Sequence, residues 1–279
     1  MFKIIKKEPL NPSMTRMVIE APFVARKAMP GQFIILRVNE TGERIPLTIA
    51  DYDREAGTVT IIYQKVGKST LLLDEQEAGG YLMDFIGPLG KASELEGYKK
   101  AAVIGGGAGC AIAYPQAKAL HAMGTKVDMI AGFRDKDLII LENEMREASD
   151  RLIVMTDDGS NGNKGFVTAA LQKNIDEGAD YDLVIAIGLY FQMKAVSNLT
   201  KPYGIKTIIS MNTIMVDGTG MCGGCRLTVG GETKFACVDG PDFNGHEVDF
   251  DEAMKRLRTY SEQEKEATRE FNCRLMEGA

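Results

Sequence analysis

Asp217, Cys222, Cys225 and Cys237 are the residues whose types and spacing most directly suggest chemistry. They read D-x4-C-x2-C-x11-C, the plant-type iron–sulfur spacing C-x4-C-x2-C…C with aspartate in the first place. A [2Fe–2S] core needs four anionic ligands converging on two irons, and a carboxylate supplies the charge that the missing thiolate would have given. Gly218, Gly220, Gly223 and Gly224 suit a tight loop that brings backbone N–H groups close to the sulfides. Structural zinc is the competing reading, because C-x2-C serves zinc equally well and zinc also accepts an oxygen ligand. The four-residue first gap favours iron–sulfur, since zinc sites more often pair two C-x2-C knuckles.

Other stretches suggest binding rather than bond making. Arg44-Ile-Pro-Leu-Thr48 places a cation, a rigid turn and a hydroxyl within five residues. Gly67-Lys-Ser-Thr70 opens a helix expected over Leu71 to Glu77, and a glycine turn feeding a helix N-terminus suits phosphate. Plain helix capping by Ser69 and Thr70 is the equal alternative. A Walker A loop is excluded, because its first glycine would have to be residue 62, which is Ile62.

Ala101 to Ile104, then Gly105-Gly106-Gly107-Ala108-Gly109, then a helix from Cys110 to Met123, reads as strand, glycine turn and helix of a dinucleotide-binding unit. The strict G-x-G-x-x-G frame is incomplete, with Cys110 in its third glycine position. Arg134 suits a nucleotide phosphate and Asp128 a ribose hydroxyl, with solvated surface charge the alternative for each. The two histidines, His121 and His246, belong to no recognisable triad, so no catalytic residue is assigned.

The chain of 279 residues is long enough for about two domains, and 44% hydrophobic with 26% charged content is ordinary for a globular protein. A net charge of −6 without a basic run argues against a nucleic-acid partner. No apolar stretch reaches the roughly 18 residues that span a bilayer, and the N-terminus lacks a signal-peptide core, so no membrane partner and a cytoplasmic location are expected. Five cysteines, three of them clustered, suggest metal more than disulfide in a reducing compartment.

Residues 1–97 alternate apolar and polar in short runs, over Phe2 to Ile5, Thr15 to Glu20, Gln32 to Val38 and Thr58 to Gln64, which predicts a small antiparallel barrel. Residues 98–211 alternate strands with helical stretches, which predicts a doubly wound parallel sheet with ligand at the carboxyl ends of its strands. Residues 212–245 form the cluster segment. The segment 246–279 carries Met254, Leu257 and Tyr260 at helical spacing, which predicts a C-terminal helix packed against the body.

In this order of barrel, dinucleotide domain and cysteine loop, the chain resembles the ferredoxin–NADP reductase superfamily. The string from Met215 to Pro241 is most similar to the small subunits of electron-bifurcating, NADH-dependent reduced ferredoxin:NADP oxidoreductases, whose cluster is held by one aspartate and three cysteines. The resemblance implies FAD lined by Arg44, Pro46, Leu47 and Thr48, with Tyr63, Gly67, Ser69 and Thr70 completing the site and Gly87-Pro-Leu-Gly90 near it. It implies NAD(H) facing Gly105, Gly106, Gly107 and Gly109, with Asp157, Asp158 and Gly159 lining the same cleft. It further implies a larger partner subunit with another flavin, more iron–sulfur clusters and an NADP site, exchanging electrons indirectly with ferredoxin. Electron-transfer subunits of dihydroorotate dehydrogenase, with four cysteines, are the second likeness, and a zinc- and nucleotide-binding regulatory module is the reading from another class. The sequence departs from the family pattern at Ile112 and Leu189, where proline is usual.

Overall fold

The computed structural model describes residues 1–277, so the last two residues of the expected 246–279 segment lie outside the described residues. Strands β1 (Phe2–Asn11), β2 (Met14–Glu20), β3 (Phe33–Arg37), β4 (Ile45–Asp53), β5 (Thr58–Gln64), β6 (Tyr81–Leu82) and β7 (Asp84–Leu89) form a nearly closed antiparallel barrel in the order β6-β1-β2-β5-β4-β3-β7. Alternation along β2 and β5 turns Met17, Ile19, Val59, Ile61 and Tyr63 inward, and the short helix α1 (Pro22–Lys27) adds Val24 and Ala25 to the same core. Helix α2 (Lys68–Asp74) begins three residues before the expected Leu71 and follows β5 across a glycine turn.

The second unit runs β8 (Lys100–Gly106), α3 (Gly109–Ala122), β9 (Lys126–Phe133), α4 (Glu142–Glu147), β10 (Arg151–Thr156), α5 (Val167–Asp176), β11 (Leu183–Ile187), α6 (Tyr190–Thr200) and β12 (Lys206–Ser210). Its sheet has the order β10-β9-β8-β11-β12-β15, the last being Asp242–Asn244, and is parallel except for that strand. Successive residues of β8 serve opposite cores: Ala101 and Val103 face α3 and α4, while Ala102 and Ile104 face α5 and α6. A strand buried on both sides reads as a continuous apolar run, which is how Ala101 to Ile104 appears in the sequence.

After β12 the cluster segment forms a hairpin, β13 (Arg226–Val229) and β14 (Glu232–Phe235), the single turn α7 (Ala236–Asp239), and β15 (Asp242–Asn244). β15 was not apparent in the sequence, and it pairs antiparallel with β12, tying the cluster segment to the sheet. The single C-terminal helix expected from the sequence is two, α8 (Phe250–Leu257) and α9 (Ser261–Glu277). At the break the Arg258 and Thr259 N–H groups bond to the carbonyls three residues back, Lys255 and Arg256, and the Thr259 hydroxyl donates to the same Arg256 carbonyl at 2.6 Å. Met254 packs on the core as expected, but Leu257 and Tyr260 remain exposed.

Candidate functional site

The four cluster candidates stand as two pairs. Asp217 Oδ1 lies 3.5 Å from Cys222 Sγ on the exposed side of the loop, and Cys225 Sγ lies 3.2 Å from Cys237 Sγ in the buried side. A tetrahedral metal with metal–sulfur bonds near 2.3 Å separates its ligands by about 3.7 Å, so each pair spans one tetrahedral edge. Among the described residues no three His, Cys, Asp or Glu side chains gather around one point. Two pairs suit two bridged irons, each taking two protein ligands, better than one zinc.

The loop presents donors to these atoms. Gly224 N–H points at Cys222 Sγ (3.4 Å) and Cys237 N–H at Cys225 Sγ (3.5 Å). Thr219 N–H donates to Asp217 Oδ1 and Cys222 N–H to Oδ2, each at 3.0 Å. These bonds, led by that from Thr219, hold the Asp217 carboxyl below the usual carboxylate range. Burial and the adjacent Cys225 push the Cys237 thiol up to about 12. Of the four loop glycines, Gly218, Gly220 and Gly223 have positive φ and Gly224 does not. Arg256 of α8 donates to the Gly224 carbonyl at 3.3 Å and steadies the loop from below.

The loop is seated on the barrel. Gly218 has φ +74°, and a Cβ there would lie 2.8 Å from Leu89 and 3.1 Å from Ile35, so only glycine permits this approach. Ile35 of β3 is paired with Pro46 of β4, and Arg44 Nε donates to the Val216 carbonyl at 3.1 Å. The cluster candidates and the Arg44–Thr48 stretch therefore share one edge. Arg44 to Thr48 form a half-buried run, and the terminal nitrogens of Arg44 have no protein partner among the described residues, an arrangement that fits a phosphate.

Ser69 donates to Glu43 at 3.0 Å, which joins the second binding stretch to the first. The Thr70 hydroxyl accepts from Val66 and Gly67 N–H groups and donates to the Gly67 carbonyl, so it caps α2. Tyr63 requires a correction. Its ring is 2% exposed in the barrel core and its hydroxyl donates to Asp74 at 3.1 Å, so its side chain faces away from any ligand on this edge. Inward alternation along β5 decides this, since neighbouring Ile62 and Gln64 take the outward positions.

In the parallel sheet, α3 leaves β8 toward β9 while α6 leaves β11 toward β12, which opens a crevice at the carboxyl ends of β8 and β11. Gly105, Gly106, Gly107 and Gly109 lie in it. A Cβ at Gly109 would meet the Ile187 carbonyl at 2.4 Å and one at Gly105 would meet Cys110 at 2.6 Å, so these two let α3 approach the strands. A Cβ at Gly106 would lie 1.9 Å from Gln192 Oε1, and the buried Nε2 of Gln192 has no partner. Gln192 was missed in the sequence; its only signal is a polar residue in the first turn of the helix that follows β11.

Arg134 and Asp157 follow β9 and β10, two adjacent parallel strands, and the Asp158 N–H donates to the Arg134 carbonyl at 3.3 Å. Arg134 is largely exposed and paired with Asp135 at 3.3 Å. The ribose reading of Asp128 is overturned: it is the third residue of β9, 8% exposed, accepts from the Tyr181 hydroxyl at 2.6 Å and lies 3.8 Å from Lys100. That is the amino end of the strand, away from the crevice. His246 Nε2 lies 3.0 Å from Thr200 Oγ1 and takes no part in these sites.

Comparison with known proteins agrees with this geometry. Residues 212–249 match the model of the iron–sulfur cluster binding domain of dihydroorotate dehydrogenase B. A Thermotoga maritima protein described as a homolog of the dihydroorotate dehydrogenase B (NAD(+)) electron transfer subunit is 46% identical, over 94% of this chain and 93% of its own. A Clostridium beijerinckii protein from the adh 3′ region is 51% identical, over 96% and 93%. A solved structure reported for flavin-based electron bifurcation by the NADH-dependent reduced ferredoxin-NADP oxidoreductase superposes with a TM-score of 0.92 at 44% identity, covering 97% of this chain and 98% of that one. Ferredoxin-NADP+ reductase of Plasmodium falciparum, at 14% identity and a TM-score of 0.56 over 72% and 88%, shares the fold alone.

Proposed function

We propose, from the premise that the chain belongs to the family of dihydroorotate dehydrogenase B-type electron-transfer subunits, that it takes reducing equivalents from NADH and delivers them singly to a larger partner subunit. It is an oxidoreductase subunit with a ferredoxin reductase-like fold. The observation that carries the reading is the shared edge on which Arg44 holds the Val216 carbonyl, one residue before Asp217. When bound, FAD would accept hydride and [2Fe–2S] would carry electrons one at a time; the protein sets distance, orientation and potential.

In this reading residues 1–97 hold FAD, residues 98–211 hold NAD(H), residues 212–245 hold the cluster and 246–279 pack the tail. Arg44 offers its free guanidinium nitrogens to the pyrophosphate, Pro46, Leu47 and Thr48 line the ring system, and Gly67, Ser69 and Thr70 close the far end. Cys225 and Cys237 hold the inner iron, and Asp217 with Cys222 the outer one. Met221 and Val216, both exposed beside that outer pair, mark the side from which a partner receives electrons. The partner proposed is the flavin and iron–sulfur subunit of a ferredoxin:NADP bifurcating oxidoreductase, since the solved structure of that name matches almost the whole chain.

The relatives named for dihydroorotate dehydrogenase B, 30–33% identical, favour a second reading in which the partner oxidises dihydroorotate. Purification of the native complex decides: flavin and iron counted per chain, and the partner tested with NADP plus ferredoxin and with dihydroorotate. A colourless preparation containing zinc would overturn both readings. Among the described residues no helix is long and apolar enough to cross a membrane.

A further inference from the structure

The most informative unexplained group in the crevice is Gln192. It stands in the first turn of α6, and its carboxamide lies flat between two glycines: a Cβ at Gly106 would be 1.9 Å from Oε1 and a Cβ at Gly188 2.9 Å from it. Gly106 ends β8 and Gly188 follows β11, so the slot that grips the amide is built from both walls of the crevice. The other polar side chains that hydrogen-bond from α6 have partners inside the protein. Tyr190 donates to the Asn212 carbonyl at 2.6 Å, Lys194 to Asp251, and Ser197 and Thr200 to carbonyls one turn back. Gln192 Nε2 alone among them is buried without one. A buried amide N–H without an acceptor is costly, and such groups persist where a ligand completes them. Exchanging the two ends of the amide would strand Oε1 there instead, so the buried end of the carboxamide has no protein partner in either orientation.

We infer that Gln192 is a positioning residue for the nicotinamide half of NAD(H), its inward amide completed by an oxygen of that half of the dinucleotide. This deepens the reading above that the crevice binds NAD(H), and rests on it. The half is assigned by distance across the sheet. Arg134 and Asp157, the candidates for the adenosine end, follow β9 and β10, whereas Gln192 follows β11, up to three strands away. Three strand spacings of about 4.8 Å give roughly 14 Å, a separation that suits opposite ends of an extended dinucleotide. The Asn212 carbonyl bound by Tyr190 begins the loop that runs to Val216 and Arg44, so the Gln192 end is also the end nearest the barrel. A carboxamide here offers both a donor and an acceptor, which suits the carboxamide or ribose hydroxyls of nicotinamide riboside.

The test uses the FAD-loaded full chain and two probes, NADH and ADP-ribose, with binding measured by calorimetry and thermal unfolding measured without nucleotide. Gln192→Met keeps the length and removes the hydrogen bonds. It is expected to weaken NADH about 5- to 10-fold, the loss of roughly one good hydrogen bond, and to leave ADP-ribose within about 2-fold. Its melting temperature without nucleotide is expected to stay level or rise, because no stranded amide remains. Gln192→Glu, which keeps an acceptor and no donor, is expected to weaken NADH at least as much. Equal losses for both probes, or none for either, would overturn the assignment while leaving the NAD(H) site in place. Failure of the unaltered chain to bind NADH would remove the underlying reading as well.

Discussion

Arg44 Nε donates to the main-chain carbonyl of Val216 at 3.1 Å, across 172 positions of sequence. The contact joins a barrel strand edge to the residue just before Asp217. Together with the close seating of Gly218 on Ile35 and Leu89, it fixes the cysteine loop against the barrel. A rigid path of this kind is what single-electron transfer requires from a protein, since the cofactors supply the chemistry.

Arg44→Ala is expected to lower FAD content below half while leaving about two irons per chain, because the role proposed for the guanidinium is to hold the pyrophosphate and only its Nε bonds to the loop. Arg44→Lys should be intermediate, since an ammonium keeps charge without the planar fork. Flavin absorbance and iron assay on the same preparations check this, and parallel loss of both cofactors would contradict it.

Asp217→Ala removes one of the four proposed anionic ligands and is expected to reduce iron well below two per chain. Asp217→Cys should keep the iron but alter the EPR signal and the midpoint potential, because ligand type is one of the levers on cluster potential. An unaltered spectrum in the cysteine variant would mean that Asp217 only caps the loop through its bonds to the Thr219 and Cys222 N–H groups.

Tyr63→Phe tests the inward placement of the Tyr63 side chain. Its hydroxyl bonds to Asp74, which also accepts from Thr15 at 2.7 Å, so the substitution breaks a buried network. The cost in stability should be about 1–2 kcal/mol by urea unfolding, with FAD content unchanged. A loss of flavin at unchanged stability would return Tyr63 to the flavin site.

Gly106→Ala places a methyl group where the Gln192 amide now lies. The amide is the end of a flexible side chain and can move aside, so stability should change by no more than about 1 kcal/mol. Affinity for NADH should fall about tenfold, because the displaced carboxamide then obstructs the crevice. Titration of flavin reduction by NADH reads the effect.

These particulars show what the sequence carries and what it hides. The iron–sulfur segment at residues 212–249 was legible because its cysteines lie close together in the chain and their spacing is characteristic. β8 was legible because burial on two faces leaves an unbroken apolar run. β4 was obscured by Pro46, which reads as a breaker. It is tolerated there because β5 pairs with β4 only from Ile49 onward, leaving one side of Pro46 without a strand to serve. Tyr63 and Asp128 were misplaced because a residue type gives chemistry but not direction, and alternation turned one into the barrel and register put the other at the wrong strand end. Gln192 depends on two glycines 82 positions apart and had no local signal.

Asp242 gives the chain a pH dependence that no sequence pattern announced. It opens β15 opposite Ser210, accepts from Ser93 at 2.5 Å and from Gln116 at 3.1 Å on Oδ2, and its buried Oδ1 has no partner. The residue keeps some surface of its own, but its carboxyl meets hydroxyls and an amide and no cation. Burial raises it from 3.8 to about 6, against the lowering effect of the neighbouring Ser93, Ser210 and Gln116 side chains. The folded chain therefore holds this proton more tightly than the unfolded chain. The stabilisation is complete below about pH 4, declines through about pH 6 and is absent at pH 7, a span of about 3 kcal/mol at the usual 1.36 kcal/mol per unit. Asp74, whose carboxyl is held below its usual value despite the opposing pull of burial, by Thr15, Tyr63 and Lys65, acts in the opposite sense and only at lower pH. Asp242→Asn keeps an acceptor for Ser93 and cannot ionise. Urea unfolding at pH 4.5, 5.5 and 7 should thus show the variant gaining on the parent by about 2 kcal/mol across the series, and a constant difference would mean that the carboxyl titrates at its ordinary value.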